Sequence, residues 1–328
     1  MILTRDIGID LGTENTLICD RKGRIILSEP SVVAVDVKSR RVLATGSNAK
    51  QMIGRTPGSI VAIKPLNDGV IADFDMTADM LHDFIYRSSK RSFFTKTRVV
   101  ISVPSGVTEV ERRAVEDATR SAGAQDVELI EEPMAAALGV GLPVNEAKGS
   151  MIVDIGGGTC DVAVISLGGI AARKSIKTAG NALDEEIINY LKKSHNLLIG
   201  AITAEEIKLK IGSASQYDGE GAMEVRGRNL TDGLPKSVEI TSAEIRDVLA
   251  APVSEIVKAI RETLEVTLPE LAADIIDKGI YITGGTSLLR GLPELIERET
   301  KIKVHTTDIP LEAVAIGAAA KLRKARIR

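Results

Sequence analysis

The chain has 328 residues, 44% hydrophobic and 27% charged, enough for two well-filled domains and the balance of a soluble globular protein. A net charge of −3, aromatics at 2% and no Trp exclude a basic or base-stacking surface, so no nucleic-acid partner is expected. Cys19 and Cys160 make neither a disulfide framework nor a zinc site, the longest apolar run (near Ala313–Ala320) is far short of a membrane span, and Met1–Asp6 shows no signal-peptide anatomy, which together predict a reduced cytoplasmic protein. Strand patterns open the chain at 7–11, 16–19, 24–27 and 31–35, a meander with a turn at Arg21-Lys22-Gly23. Helical spacing over 78–89 puts Met80, Leu81, Phe84 and Ile85 on one face. A buried-type strand over 98–103 stops at Pro104, and Thr108-Glu109-Val110-Glu111 is a capping box for a helix ending at Gly123. A strand over 127–130 follows, and 142–150, with Pro143, Asn145 and Gly149, reads as the inter-domain connection.

The second half repeats this order. Strands at 151–155 and 161–166 flank a glycine loop, and 184–194 and 204–211 are helical. Residues 212–235 are polar around one strand at 223–227, and 242–264 is helical with an interruption near Pro252. A strand over 280–283 and a helix over 311–325 close the chain. Strands alternating with helices in both halves predict an α/β fold with mixed sheets. The expected division is 1–148, with helix 311–328 packing back on it, and 149–310.

Chemistry concentrates in two near-copies of one pattern, about one domain length apart. Ile7-Gly8-Ile9-Asp10-Leu11-Gly12-Thr13 and Ile152-Val153-Asp154-Ile155-Gly156-Gly157-Gly158-Thr159 each lead an apolar strand into an aspartate, then glycine, then threonine. Asp10 and Asp154 suit Mg²⁺ held mostly through water; the alternative for each is a strand-end turn aspartate. Gly12, Thr13 and Asn15, with Glu14 between them, and Gly156, Gly157 and Gly158 would close backbone N–H groups around phosphates. The chain contains no Gly-Lys-Ser/Thr triplet, which rules out a P-loop. A third element, Thr283-Gly284-Gly285-Thr286-Ser287, follows a strand and precedes the helix-like Leu288-Leu289, so its backbone can pack on a flat purine. A Gly-Gly turn after a strand is common by itself, but the three elements in this order point to a nucleotide clamped between two related domains. Glu132, before Pro133 in Ile130–Ala137, reads as the group that places a water for hydrolysis or as a helix cap.

These residues resemble the MreB family within the actin/Hsp70/sugar-kinase superfamily. The resemblance runs end to end through Asp6–Thr16, Asn67–Asp73, Val110–Ala114, Leu129–Ala137, Val153–Thr159, Leu198–Lys208, Glu224–Asn229 with Gly233-Leu234-Pro235, and Thr283–Leu289. It implies an actin-like ATPase fold, two RNase H-like domains around an ATP–Mg²⁺ cleft, and slow hydrolysis that times filament assembly. By the same resemblance Glu132 and Thr159 orient the water, and Asp10 and Asp154 serve the metal. Glu205, Glu206 and Lys208 reach the nucleoside, and Gly284, Gly285, Thr286 and Ser287 border the base. Without the resemblance, Glu205 and Lys208 read as a surface helix pair. Family members usually carry Ala at Glu14, Thr and Glu at Cys160 and Asp161, Asp at Asn181, and a third glycine at Thr286.

Phe93 and Phe94, two of only four Phe residues, stand side by side between Lys90, Arg91, Lys96 and Arg98. They read as core residues or as a membrane contact; the family uses a hydrophobic loop at this place on the inner face of the cell membrane. The resemblance further implies self-association into filaments and contact with cell-wall elongation proteins in maintaining cell shape. The competing reading is a monomeric ATP clamp of the Hsp70 or sugar-kinase type.

Overall fold

The computed structural model describes residues 3–88 and 95–324. Phe93 and Phe94 lie outside the described residues.

β1 (Leu3–Leu11) turns through a glycine loop into antiparallel β2 (Asn15–Asp20), which pairs with β3 (Ile25–Pro30). A small sheet follows, built from β4 (Val33–Asp36), β5 (Val42–Thr45) and β6 (Ile60–Ile63), with the short α1 (Gly46–Lys50) between the last two. β7 (Leu66–Asn67) and β8 (Val70–Ile71) form a two-stranded hairpin. α2 (Phe74–Arg87) starts earlier than its apolar spacing predicts, because Asp73 caps it by accepting from the Met76 N–H. β9 (Thr95–Val103) returns parallel to β1. α3 (Glu109–Ser121) carries the predicted capping box, with Thr108 and Glu111 bonded reciprocally. β10 (Asp126–Glu131) completes a five-stranded sheet of order β10-β9-β1-β2-β3 and runs into α4 (Glu132–Gly139).

The second half builds the same sheet again. β11 (Ser150–Ile155) pairs antiparallel with β12 (Cys160–Ser166), and β12 with β13 (Gly169–Ile176). α5 (Gly180–His195), β14 (Leu197–Leu198), α6 (Ala201–Ile211), β15 (Ala222–Asn229) and β16 (Pro235–Thr241) form an insertion with its own three-stranded sheet. α7 (Ser242–Glu265) then runs unbroken through Pro252. The expected interruption there is corrected: a lost N–H costs one helical bond, and the buried face of Ile245, Leu249, Val253, Ile256 and Ile260 holds the helix together. α8 (Pro269–Lys278), β17 (Ile280–Thr283), a 3-10 turn (Gly285–Leu288), α9 (Leu292–Thr300), β18 (Val304–His305) and α10 (Ala313–Lys324) complete the chain. The helix-like Leu288-Leu289 is thus the end of one 3-10 turn, with the Leu289 N–H donating to the Thr286 carbonyl. The second sheet reads β13-β12-β11-β17-β18, which is the order of the first read from its opposite edge, β3-β2-β1-β9-β10.

Each sheet has its own apolar core, and a third core lies between the halves. There α10 sets Val314, Ala318 and Leu322 against Ala135–Ala137 of α4 and against Ile152 and Ile165 of the second sheet. On its other side Ala315 and Ala319 pack on Leu17 and Cys19. Contact is backbone to backbone: a Cβ on Gly139 would fall 1.9 Å from the Ala313 carbonyl oxygen, and one on Gly317 1.7 Å from that of Ala135. Among the described residues no helix is long and apolar enough to cross a membrane.

Candidate functional site

A cavity of about 500 Å³ opens between the two sheets. Both glycine hairpins enter it, the β1–β2 turn with Gly12, Thr13, Glu14 and Asn15 and the β11–β12 turn with Gly156, Gly157, Gly158 and Thr159. The hairpins touch. A Cβ on Gly158 would lie 2.5 Å from Thr13 Oγ1, and the same hydroxyl oxygen accepts from the Gly69 N–H at 2.8 Å. Gly284, Gly285 and Thr286 form another wall, pressed on the second hairpin. Gly284 has φ +85°, and a Cβ there would lie 2.3 Å from the Ile155 carbonyl oxygen, so only glycine fits. Thr286 donates its hydroxyl to the Gly156 carbonyl at 2.7 Å.

Asp10, Glu132 and Asp154 line the cleft, and Asp161 lies wholly buried behind it, opposite Asp154 in the β11–β12 ladder. Burial pushes the Asp10 carboxyl up to about 6, tempered by the Ser102 hydroxyl donating to it at 3.0 Å. Burial likewise lifts Asp161 to about 6 although the Ser105 N–H donates to it at 2.9 Å. Glu132 and Asp154 are raised well above the ordinary carboxylate range, first by burial and then by the neighbouring carboxylates. Burial raises all four acids, and the neighbouring carboxylates add to it at Glu132 and Asp154, which are surroundings a cation relieves. Among the described residues no three His, Cys, Asp or Glu side chains converge as a direct metal cage. The donor set therefore suits an ion reached through water, as Mg²⁺ prefers.

Glu132 occupies the first turn of α4, and the cap position belongs to Glu131, whose carboxylate takes the Ser105 hydroxyl at 3.1 Å and Arg173 at 3.0 Å. The cap reading of Glu132 is thereby displaced, and its side chain faces the cleft. Glu205 and Lys208 also line the cleft but do not pair with each other. Glu205 meets Lys50 of α1 at 3.4 Å, and Lys208 donates to Asp184 and to the Gly180 carbonyl, both at 2.9 Å. Asp184 stays raised to about 6 because its burial outweighs that lysine. Glu14 pairs with Lys64. Two expected residues do not line the cleft. Glu206 points off the Glu205–Lys208 face of α6 and pairs with Lys210 at 2.5 Å, and the Ser287 hydroxyl turns back to the Gly284 carbonyl at 2.7 Å. Gly180, Asn181, Asp184 and Arg290 join the lining without having been singled out for it from the sequence. For Asp184 a signal existed, a carboxylate on the apolar face of a helix that packs on α6.

Twin sheets of one order, each sending an Asp–Gly–Thr hairpin into a shared cleft, define an actin-like ATPase fold. Residues 4–327 match the MreB/Mbl protein family, and the chain belongs to that family. It is 50% identical to the cell shape-determining protein MreB of Escherichia coli (strain K12), covering 96% of this chain and 92% of that one. With the cell shape-determining protein Mbl of Bacillus subtilis (strain 168) it shares 47% identity over 98% of this chain and 96% of the relative. The crystal structure of Spiroplasma citri MreB 5 bound to AMPPNP superposes with TM-score 0.93 at 38% identity, over 99% of this chain and 98% of that one.

Proposed function

We propose that this chain binds Mg–ATP in the cleft, hydrolyses it slowly, and assembles into membrane-associated filaments that guide cell-wall elongation and maintain cell shape. The observation that carries the reading is Glu132, a buried carboxyl of raised proton affinity facing two apposed glycine hairpins. Backbone N–H groups of Gly12–Asn15 and Gly156–Gly158 hold the phosphates. Asp10 and Asp154 hold Mg²⁺ through water; bound there, the ion would neutralise charge developing on the phosphoryl oxygens. Glu132, helped by the Thr159 hydroxyl, orients the attacking water and takes its proton, a task that a raised pKa favours. Lys208, fixed by Asp184, and Glu205 serve the nucleoside, and Gly284–Thr286 border the base. Residues 1–148 with 311–328, and 149–310, are the two bodies that close on the nucleotide. Support for a role in cell shape comes from the MreB and Mbl relatives, which are cell shape-determining proteins.

Membrane attachment rests on Phe93 and Phe94. Burying each contributes roughly 1.5–3 kcal/mol, and each flanking basic residue near an anionic leaflet about 1 kcal/mol. Partial insertion leaves a monomer weakly bound, and a filament that repeats the loop gains by avidity.

Electron microscopy of the protein with Mg–ATP, with and without anionic liposomes, is the test. Filaments lying on lipid, lost from the lipid when Phe93 and Phe94 are replaced by Ser, are expected. Bound ATP with no filaments under any condition would favour the monomeric clamp instead. Glu132→Gln should lower turnover on the order of 100-fold while ATP affinity stays within a few-fold.

A further inference from the structure

The cleft has a wall that is braced by a side chain outside the nucleotide motifs. α6 ends at Ile211, where its last carbonyls lack helical partners. Arg290, two residues past the 3-10 turn, supplies them: its Nη1 donates to the Lys210 carbonyl at 2.9 Å and to that of Gly212 at 3.4 Å. Its guanidinium lies over the Tyr217 ring, 5.3 Å from the centroid. Its own carbonyl accepts from the Ala214 N–H at 2.7 Å, and Ser213 and Arg290 form an isolated parallel bridge. The segment after α6 is thus stitched to the segment after the 3-10 turn.

What the stitching holds is apolar. Leu209 of α6, Leu288 of the turn and Leu311 all line the cleft yet stand 66%, 61% and 48% exposed, large side chains left uncovered at a cavity wall. Leu209 adjoins the Lys210 carbonyl that Arg290 holds, and Leu288 lies two residues before Arg290 itself, so the guanidinium ties the two leucine-bearing segments together from the side of α6, beside the backbone bonds between Ala214 and Arg290.

We propose that Arg290 is a positioning residue that sets the width of an apolar slot between Leu209 and Leu288, and thereby selects a purine over a pyrimidine base. The inference rests on reading the cleft as a nucleotide site. A two-ring base covers more of both leucines than a one-ring base, and only a slot of fixed width converts that area into discrimination. Lysine has neither the planar fork to cap two carbonyls nor the flat face to lie on Tyr217.

The test is equilibrium binding of Mg–ATP and Mg–CTP to the full-length protein and to Arg290→Ala, Arg290→Lys and Tyr217→Ala. The unaltered protein should prefer ATP. Arg290→Ala should weaken ATP about five- to twentyfold and CTP less than about twofold, collapsing the ratio. Arg290→Lys should recover part of the ATP affinity, and Tyr217→Ala should shift the ratio the same way by less. If Arg290→Ala does not fold, the other two variants carry the test. A ratio unchanged in these variants, equal weakening of both nucleotides, or no ATP preference in the unaltered protein would overturn the proposal. Binding of neither nucleotide by the unaltered, folded protein would instead overturn the nucleotide reading.

Discussion

The two glycine hairpins share a strand order and a loop pattern, yet they differ in what faces the aspartate. In the first, Asp10 stands opposite Leu17 in the ladder, and the Ser102 hydroxyl from β9 donates to its carboxylate. In the second, Asp154 stands opposite Asp161, itself buried; burial raises the Asp154 carboxyl well above its ordinary range, and Asp10 and then Asp161 add to it. The two halves share a scaffold but not the surroundings of the aspartate: the first accepts a hydroxyl from the protein, and the second faces a further buried acid.

The sharpest way to break the comparison acts on the brace behind the second hairpin. Gly284→Ala forces a Cβ against the Ile155 carbonyl at a left-handed φ, and should destabilise the protein by about 2 kcal/mol or more in denaturant unfolding. Gly156→Ala, whose nearest neighbour would be the Thr159 carbonyl oxygen at 3.5 Å, should cost less than about 1 kcal/mol. Equal losses would mean that the hairpin's shape does not depend on Gly284.

Charge gives a smaller effect with a distinct sign. In metal-free, nucleotide-free protein, Asp154→Asn should raise the melting temperature by a few degrees and Asp10→Asn by less, because only the Asp10 carboxylate already takes a charge-assisted hydrogen bond, from Ser102, which an amide would weaken. Asp161→Asn should bring the two responses together. The pH dependence follows from the same crowding. Asp10 and Asp161 titrate at about 6 when folded and near 4 when unfolded, so the folded state binds more protons between those values. Stability of the metal-free protein contributed by these groups therefore falls as pH rises from about 4 to about 6, and is higher at pH 5 than at pH 7. Mg–ATP should flatten this slope in thermal melts. A slope unaffected by Mg–ATP would mean that the four acids are not the cation site.

The duplicated hairpins, the Thr108–Glu111 capping box and the closing helix were legible because each is written in local residues. Elements that depend on tertiary cover were not. β16 alternates exposed Pro235, Ser237 and Glu239 with half-buried Lys236 and Val238 and buried Ile240, a faint apolar signal that only pairing with β15 turns into a strand. α8 and α9 both start with a proline in the first turn, which reads as a break until the helix after it is seen. In the site, loop chemistry was enough to bring Glu132, the glycines and the two aspartates to one cleft, whereas Asp184 was signalled only by its place on an apolar helix face and Arg290 not at all. Asp184 looks like a helix's first acid from sequence, but α5 begins at Gly180, which sets Asp184 a turn inside and against Lys208. Arg290 earns its place only through carbonyls some eighty residues away in the chain.

The crossing of α4 and α10 has a mechanical corollary. Where Gly139 meets Ala313 and Gly317 meets Ala135, two rods touch through their backbones, with no long side chains meshed between them. Most helix contacts interlock like gears and resist turning. This one is closer to a plain bearing, smooth and tight at once, and it lies in the core between the two sheets. A single methyl added at either glycine would meet the partner helix's backbone at under 2 Å, and would force the two rods apart at the seam between the sheets.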